Sequence, residues 1–311
     1  MSISREIIEA QDAVTSTAII THLSGNTHFE KLSQFEGDLI SRRDEEDGTK
    51  LAAGIRISID RGSLPTDHIA EPYKVIDVLG KKPADVAQVI VDDVGENSNS
   101  GAVIVLCGLS GTGKGTTAAL LSKLLPNCTT WSNGNVFRSI TLLAATWCEQ
   151  HGFDSFNAEA ALTDENISNY MSMLSFEKRD GKWDVVIRGL GLDTSVGEIQ
   201  NTVLKSPKVA VNIPTVAKLT QGEVIAFASK ALGLMREDGN NILLEGREQT
   251  VDYIPTPFRY TLTLSDPSLV GKRRAAQRLG AAVFSSSLLS DSSFSVESIM
   301  DGELVRMAAD C

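Results

Sequence analysis

The sequence predicts an α/β protein, a parallel sheet with helices on both faces, joined to a small N-terminal α+β module. Three observations carry that prediction. Beyond residue 100, short apolar runs alternate with stretches of helical pattern, the arrangement that builds a parallel sheet. The first of these runs, Val103–Cys107, follows the polar, turn-forming tract "DDVGENSNSG" (Asp92–Gly101), which sets a boundary between residues 1–96 and 97–311. The acid is also unevenly spread. The first hundred residues hold 18 Asp+Glu against 10 Lys+Arg, in a chain of net charge −11.

Taken in order, Arg5–Ile20 reads as a helix. "RRDEEDG" (42–48) reads as a solvated loop, and the alternation in "IRISID" predicts a strand over Ile55–Asp60. Pro83 opens a helix with Val86, Val89, Ile90 and Val94 on one face. After the strand Val103–Cys107 come helices over about Lys114–Leu125 and Asn135–His151, then a strand over Trp183–Gly189. A helix covers Pro214–Arg236, and strands follow over Asn240–Gly246 and Arg259–Ser265. Asp266 caps a last helix reaching Leu279.

Composition narrows the function classes. A chain of 311 residues with 42% apolar and 22% charged residues can bury a core. Negative charge and only 5% aromatics argue against nucleic acid as a partner. No apolar run is long enough for a membrane helix, and the N-terminus carries early acids instead of a signal core, so a cytoplasmic location is expected. Cys107, Cys128, Cys148 and Cys311 show no paired spacing, and His22, His28 and His68 are scattered, which points to reduced thiols and surface histidines instead of a metal centre.

The stretch that carries chemistry is "VIVLCGLSGTGKGTTAALL". Its "GLSGTGKG" fits the phosphate-loop pattern at Gly108, Gly113 and Lys114. Phosphate oxygens must come within hydrogen-bond range of successive main-chain N–H groups, and Gly108, Gly111, Gly113 and Gly115 remove the side chains that would block them. The loop, with Ser110 and Thr112, leads into a helix N-terminus that favours an anion. Lys114 adds a positive charge for the β- and γ-phosphates. Gly115 stands where Ser or Thr is usual, so the hydroxyl for magnesium falls to Thr116.

"GLSGTGKGTT" resembles the nucleoside-monophosphate kinase form of this loop. Two further segments, "WSNGNVFRSITLLA" and "ILLEGREQTVDYIPTPFRYTLTLSDP", look like the acceptor segment and the Asp-Gly-Arg-Asp segment of the cytidylate kinases. The resemblance covers about residues 102–279. It implies a P-loop fold, ATP and Mg2+ as cofactors, and a nucleoside monophosphate such as CMP or dCMP as acceptor. By position it implies that Asn133, Gly134 and Arg138 bind the acceptor, with Arg247 and Glu248. Lys114, Arg247 and Glu245 would be catalytic, and Thr116 and Glu245 would hold the metal. Arg274 and Arg278, four apart on the last helix, would face the donor phosphates together with the loop.

The sequence departs from that family in several places. Asn133 and Phe137 replace a serine and a tyrosine, Glu245 and Glu248 replace aspartates, and a base-reading arginine gives way around Gln221. The tract after Leu279 is serine-rich and then offers one short helix, without an arginine-bearing lid or the family's final strand. Either the first hundred residues replace those parts or the lid is absent. Oligomerisation or a regulatory surface are further roles open to that segment. Two alternative functions follow: a kinase of a non-nucleotide metabolite, or a nucleotide-binding regulatory protein without turnover.

Overall fold

A computed structural model describes residues 3–290 and 293–311. Helices α1 (Arg5–Ala10), α2 (Ala13–His22) and α3 (Thr27–Asp60) precede strand β1 (Lys74–Asp77) and α4 (Pro83–Val94). Then come β2 (Val103–Gly108), α5 (Lys114–Leu124), β3 (Cys128–Trp131), α6 (Asn133–Gln150), α7 (Ala158–Ala161) and α8 (Asp164–Ser172). A meander β4 (Leu174–Arg179), β5 (Lys182–Gly189) and β6 (Leu192–Ser195) leads to α9 (Val196–Ile199), α10 (Pro207–Ala210) and α11 (Ile213–Glu237). The chain ends with β7 (Asn241–Glu245), α12 (Glu248–Val251), β8 (Phe258–Thr263), α13 (Ser268–Ser285) and α14 (Val296–Ala309). Asp291 and Ser292 of the serine-rich tract lie outside the described residues.

The main sheet is five-stranded and wholly parallel, in the order β1-β8-β2-β7-β3. The expected α/β architecture is therefore present. The period of two is visible in β2. Ile104 and Leu106 join the cluster with Val86, Ile90 and Leu121 on the α4/α5 side. Val103, Val105 and Cys107 face Leu232, Met235 and Ile254 on the other. Being buried on both faces is what makes this strand uniformly apolar.

Four expectations are corrected. The strand expected at Ile55–Asp60 and the loop expected at residues 42–48 are both parts of α3, one continuous helix of 34 residues. The buried positions near its end are Gly54 and Ser58, four apart, while the isoleucines of "IRISID" flank them only half-buried. Alternation misled because the contact face is made of small residues. Trp183–Gly189 is a strand, but it belongs to the antiparallel three-stranded meander β4-β5-β6 and not to the parallel sheet. The helix expected to stop at Leu279 runs on to Ser285.

The first hundred residues supply an edge strand of the parallel sheet. β1 pairs in parallel with β8, Lys74 opposite Tyr260 through Asp77 opposite Thr263. The fully buried Arg259 pins the approach to it, donating to Tyr73 Oη (2.6 Å), Ile254 O (2.8 Å) and Val251 O (2.9 Å). α3 crosses two helices of the C-terminal part at close range. A Cβ on Gly271 of α13 would lie 2.2 Å from Ser33 O and 3.0 Å from Gly37 N. A Cβ on Gly222 of α11 would meet Ser63 and Ser58 at 2.6 and 2.8 Å, and the Gly222 N–H donates to Ser58 Oγ (2.9 Å). Among the described residues no helix is long and apolar enough to cross a membrane.

Candidate functional site

The glycine loop sits between the C-terminal end of β2 and the first turn of α5, with Gly113 as the helix N-cap at φ 85°. Gly108 (φ 141°) is obligatory for two reasons, since a Cβ there would also stand 2.5 Å from Leu262 O. Gly113 and Gly115 face open space. The first-turn amides of Lys114, Gly115 and Thr116 have no intrahelical partner, as at any helix start, and no protein partner among the described residues. Lys114 instead folds onto its own loop, donating to Gly108 O (2.6 Å) and Leu109 O (2.8 Å). Burial lowers its pKa, and the nearby charge of Arg247 lowers it further, against Glu245 and Asp44.

One cavity borders the loop and a second borders the start of α6. The first, about 370 Å³, is bordered by Gly108, Leu109, Thr112, Arg247, Glu248, Leu262 to Leu264 and Val270. The second, about 460 Å³, is bordered by Leu51, Thr130 to Gly134, Phe137, Gln221, Glu245, Arg247 and Thr250. Both are of a size that takes a small-molecule ligand. Arg247 borders both, placed by the sharp exit of β7, where Glu245 ends the strand and α12 begins three residues later. Asn133 and Gly134 open α6, and the Trp131 indole N–H holds the Asn133 carbonyl oxygen at 2.6 Å. Gln221 is 4% exposed, and its Oε1 has no hydrogen-bond partner among the described residues.

Most of the sequence-predicted residues thus converge: the loop, Glu245 and Arg247, with Asn133 and Gly134 on one side and Glu248 on the other. Thr116 is exposed at the start of α5. Arg138 is close but borders neither cavity. Its guanidinium bends back to Asn135 Oδ1 (3.3 Å) and lies against Gly134. Arg274 and Arg278 share a face as their spacing requires, but that face meets α3, not the loop. Arg278 pairs with the buried Glu36, whose other oxygen lies 3.9 Å from Arg274 Nε.

Sequence reasoning missed the roof. α3 lies over the crevice, putting Asp44 beside the first cavity and Leu51 beside the second. The Asp44 side chain is 7% exposed. It accepts from Ser110 N–H (2.9 Å), Ser110 Oγ (2.8 Å) and Arg247 (2.6 Å). Burial alone would raise its pKa, but the bonds from Arg247 and Ser110 outweigh it and hold the carboxyl at about 2. Nothing in "RRDEEDG" sets Asp44 apart from its acidic neighbours. No protein-family model matches the chain, and no curated protein matches it.

Proposed function

We propose that this chain is a P-loop phosphotransferase that moves the γ-phosphoryl group of ATP to a nucleoside monophosphate, CMP or dCMP foremost. The observation that carries the reading is Arg247. It borders the cavity beside the glycine loop and the cavity beside the acceptor segment, and its charge is felt by Lys114. A phosphoryl group passing from one cavity to the other passes a guanidinium, whose fork matches its oxygens.

In this reading the main-chain amides from Gly111 to Thr116 hold the donor phosphates, and Lys114 leaves its loop carbonyls to follow the moving charge. Catalysis is then positioning plus charge stabilisation, with no covalent role for the protein. The residues present fit a magnesium ion, which keeps most of its water and takes one or two protein oxygens beside phosphate. Thr116 and Glu245 are exposed oxygen donors at this crevice. When bound, the ion would neutralise charge on the β- and γ-oxygens. On the acceptor side the cavity is lined by the aromatic rings of Trp131 and Phe137 and by the carboxamides of Asn133 and Gln221. That lining suits a planar, hydrogen-bonding base better than an aliphatic metabolite.

The test is a coupled ATP-consumption screen of the full chain over nucleoside monophosphates and common metabolites. Preference for a pyrimidine monophosphate supports the reading, and preference for a non-nucleotide acceptor displaces it. A second reading, a nucleotide-binding protein without turnover, is favoured by the Asp44 contact. ATP binding with no transfer to any acceptor would select it.

A further inference from the structure

Asp44 caps the apex of the glycine loop. One main-chain amide and one hydroxyl of the glycine loop converge on its carboxylate with the guanidinium that borders both cavities, at 2.9, 2.8 and 2.6 Å. An amide, a hydroxyl and a guanidinium form a donor set for a phosphoryl oxyanion, which a carboxylate imitates with two oxygens. Arg43 donates to the same Ser110 hydroxyl at 2.8 Å, so that hydroxyl is held between a second guanidinium and the Asp44 carboxylate.

The rest of the cradle is untouched. The amides at the start of α5 have no protein partner among the described residues, and the space beside Gly113 and Gly115 is open. The amides at the α5 end of the loop are free, while Ser110 at its apex is engaged by the protein's own anion. α3 does not simply lift off. It is pressed against α13 at Gly37 and Gly271, and against α11 at Gly54, where a Cβ would meet Gln221 Cγ at 2.8 Å. Displacement therefore falls to the Asp44 side chain.

We infer that Asp44 makes the donor site discriminate between nucleotides by phosphate count. A nucleoside diphosphate fits the open amides with Asp44 in place, whereas a triphosphate must first displace the carboxylate from Ser110 and Arg247. This rests on the phosphotransferase reading of the loop, because it takes the α5 end as the seat of the inner phosphates.

The test is calorimetric titration of the full chain with ADP and with a non-hydrolysable ATP analogue, both with magnesium. It compares the parent, Asp44→Asn and Asp44→Ala. The parent should bind the diphosphate about tenfold more tightly or better. Both variants should bind the triphosphate about tenfold more tightly than the parent does, with diphosphate affinity little changed. Asp44→Asn keeps the shape and an acceptor for Ser110, so it carries the test if the alanine variant fails to fold. A parent that binds both nucleotides equally overturns the inference and leaves the phosphotransferase reading standing. So do variants that lose triphosphate affinity, since Asp44 would then support the loop. A parent that binds neither nucleotide overturns both.

Discussion

The floor and the roof of the crevice are built in opposite ways. The floor is contiguous main chain, Gly108 to Thr116, whose geometry comes from glycine and the start of α5. The roof is a single carboxylate on a long helix, bonded to partners 66 and 203 positions away in sequence. Its position depends on where α3 meets α13 and α11, not on anything near Asp44. The difference separates two kinds of substitution. Under the proposed function, removing the Lys114 charge from the floor acts on the transferring group and costs little stability. Changes in the roof act on stability and on which ligand enters.

The largest expected effect tests the floor. Lys114→Ala should lower kcat/KM by about 3–4 kcal/mol of transition-state stabilisation, read in the coupled assay. Its folded-state bonds are only to the loop's own carbonyls, so the unfolding midpoint should hardly move. A variant as active as the parent would remove Lys114 from the chemistry.

Next comes the attachment of the roof. In Gly271→Ala the new Cβ would meet the main-chain Ser33 O at 2.2 Å, and backbone cannot step aside cheaply. Against a helix-propensity gain of about 1 kcal/mol, a net loss of about 2 kcal/mol is expected from overpacking. Urea unfolding would read it as a lower midpoint at unchanged slope. An unchanged midpoint would mean that the α3–α13 crossing yields easily.

Asp44 itself should show in acid. Its carboxyl is held at about 2 instead of 3.8, so the folded state holds its charge where the unfolded chain takes up a proton. This contributes about 2 kcal/mol at neutral pH. The contribution is complete above about pH 5 and is lost as pH falls through about 2. Asp44→Asn should therefore have a flatter stability profile across that window. Identical profiles would mean that the carboxylate is not paired with Arg247 and Ser110 in solution.

The smallest effect is a contrast on the same helix. Glu46, two positions on, makes only an exposed pair with Lys50 at 3.7 Å. Glu46→Gln should change stability by no more than about 0.5 kcal/mol and leave nucleotide selectivity alone. A shift as large as that of Asp44→Asn would show that overall acidity, not one placed carboxylate, governs the site.

Much of the sheet and the floor was legible. β2, β7, β8 and α5 were read within a residue or two because buried parallel strands and phosphate loops have strong local signatures. Asn133, Gly134 and Arg247 were singled out by a resemblance, and the fold brings them to one cavity. Arg274 and Arg278 were placed correctly on a shared face, yet their partner is Glu36, which no helical spacing could reveal. β1 was missed because a four-residue edge strand with exposed Lys74 and Val75 carries little hydrophobic pattern.

By itself the sequence determined the glycine loop, the buried strands behind it and the run of helices and strands after residue 100. Those features rest on the conformational freedom of glycine and on periodic burial, both properties of neighbouring residues. Only the tertiary structure decided that residues 27–60 form one helix, that β1 joins the sheet and that Asp44, among the eight acids of that helix, reaches both Ser110 and Arg247. These outcomes depend on contacts between residues far apart in the chain, Gly37 with Gly271, Ser58 with Gly222 and Tyr73 with Arg259, and no local propensity encodes such a meeting.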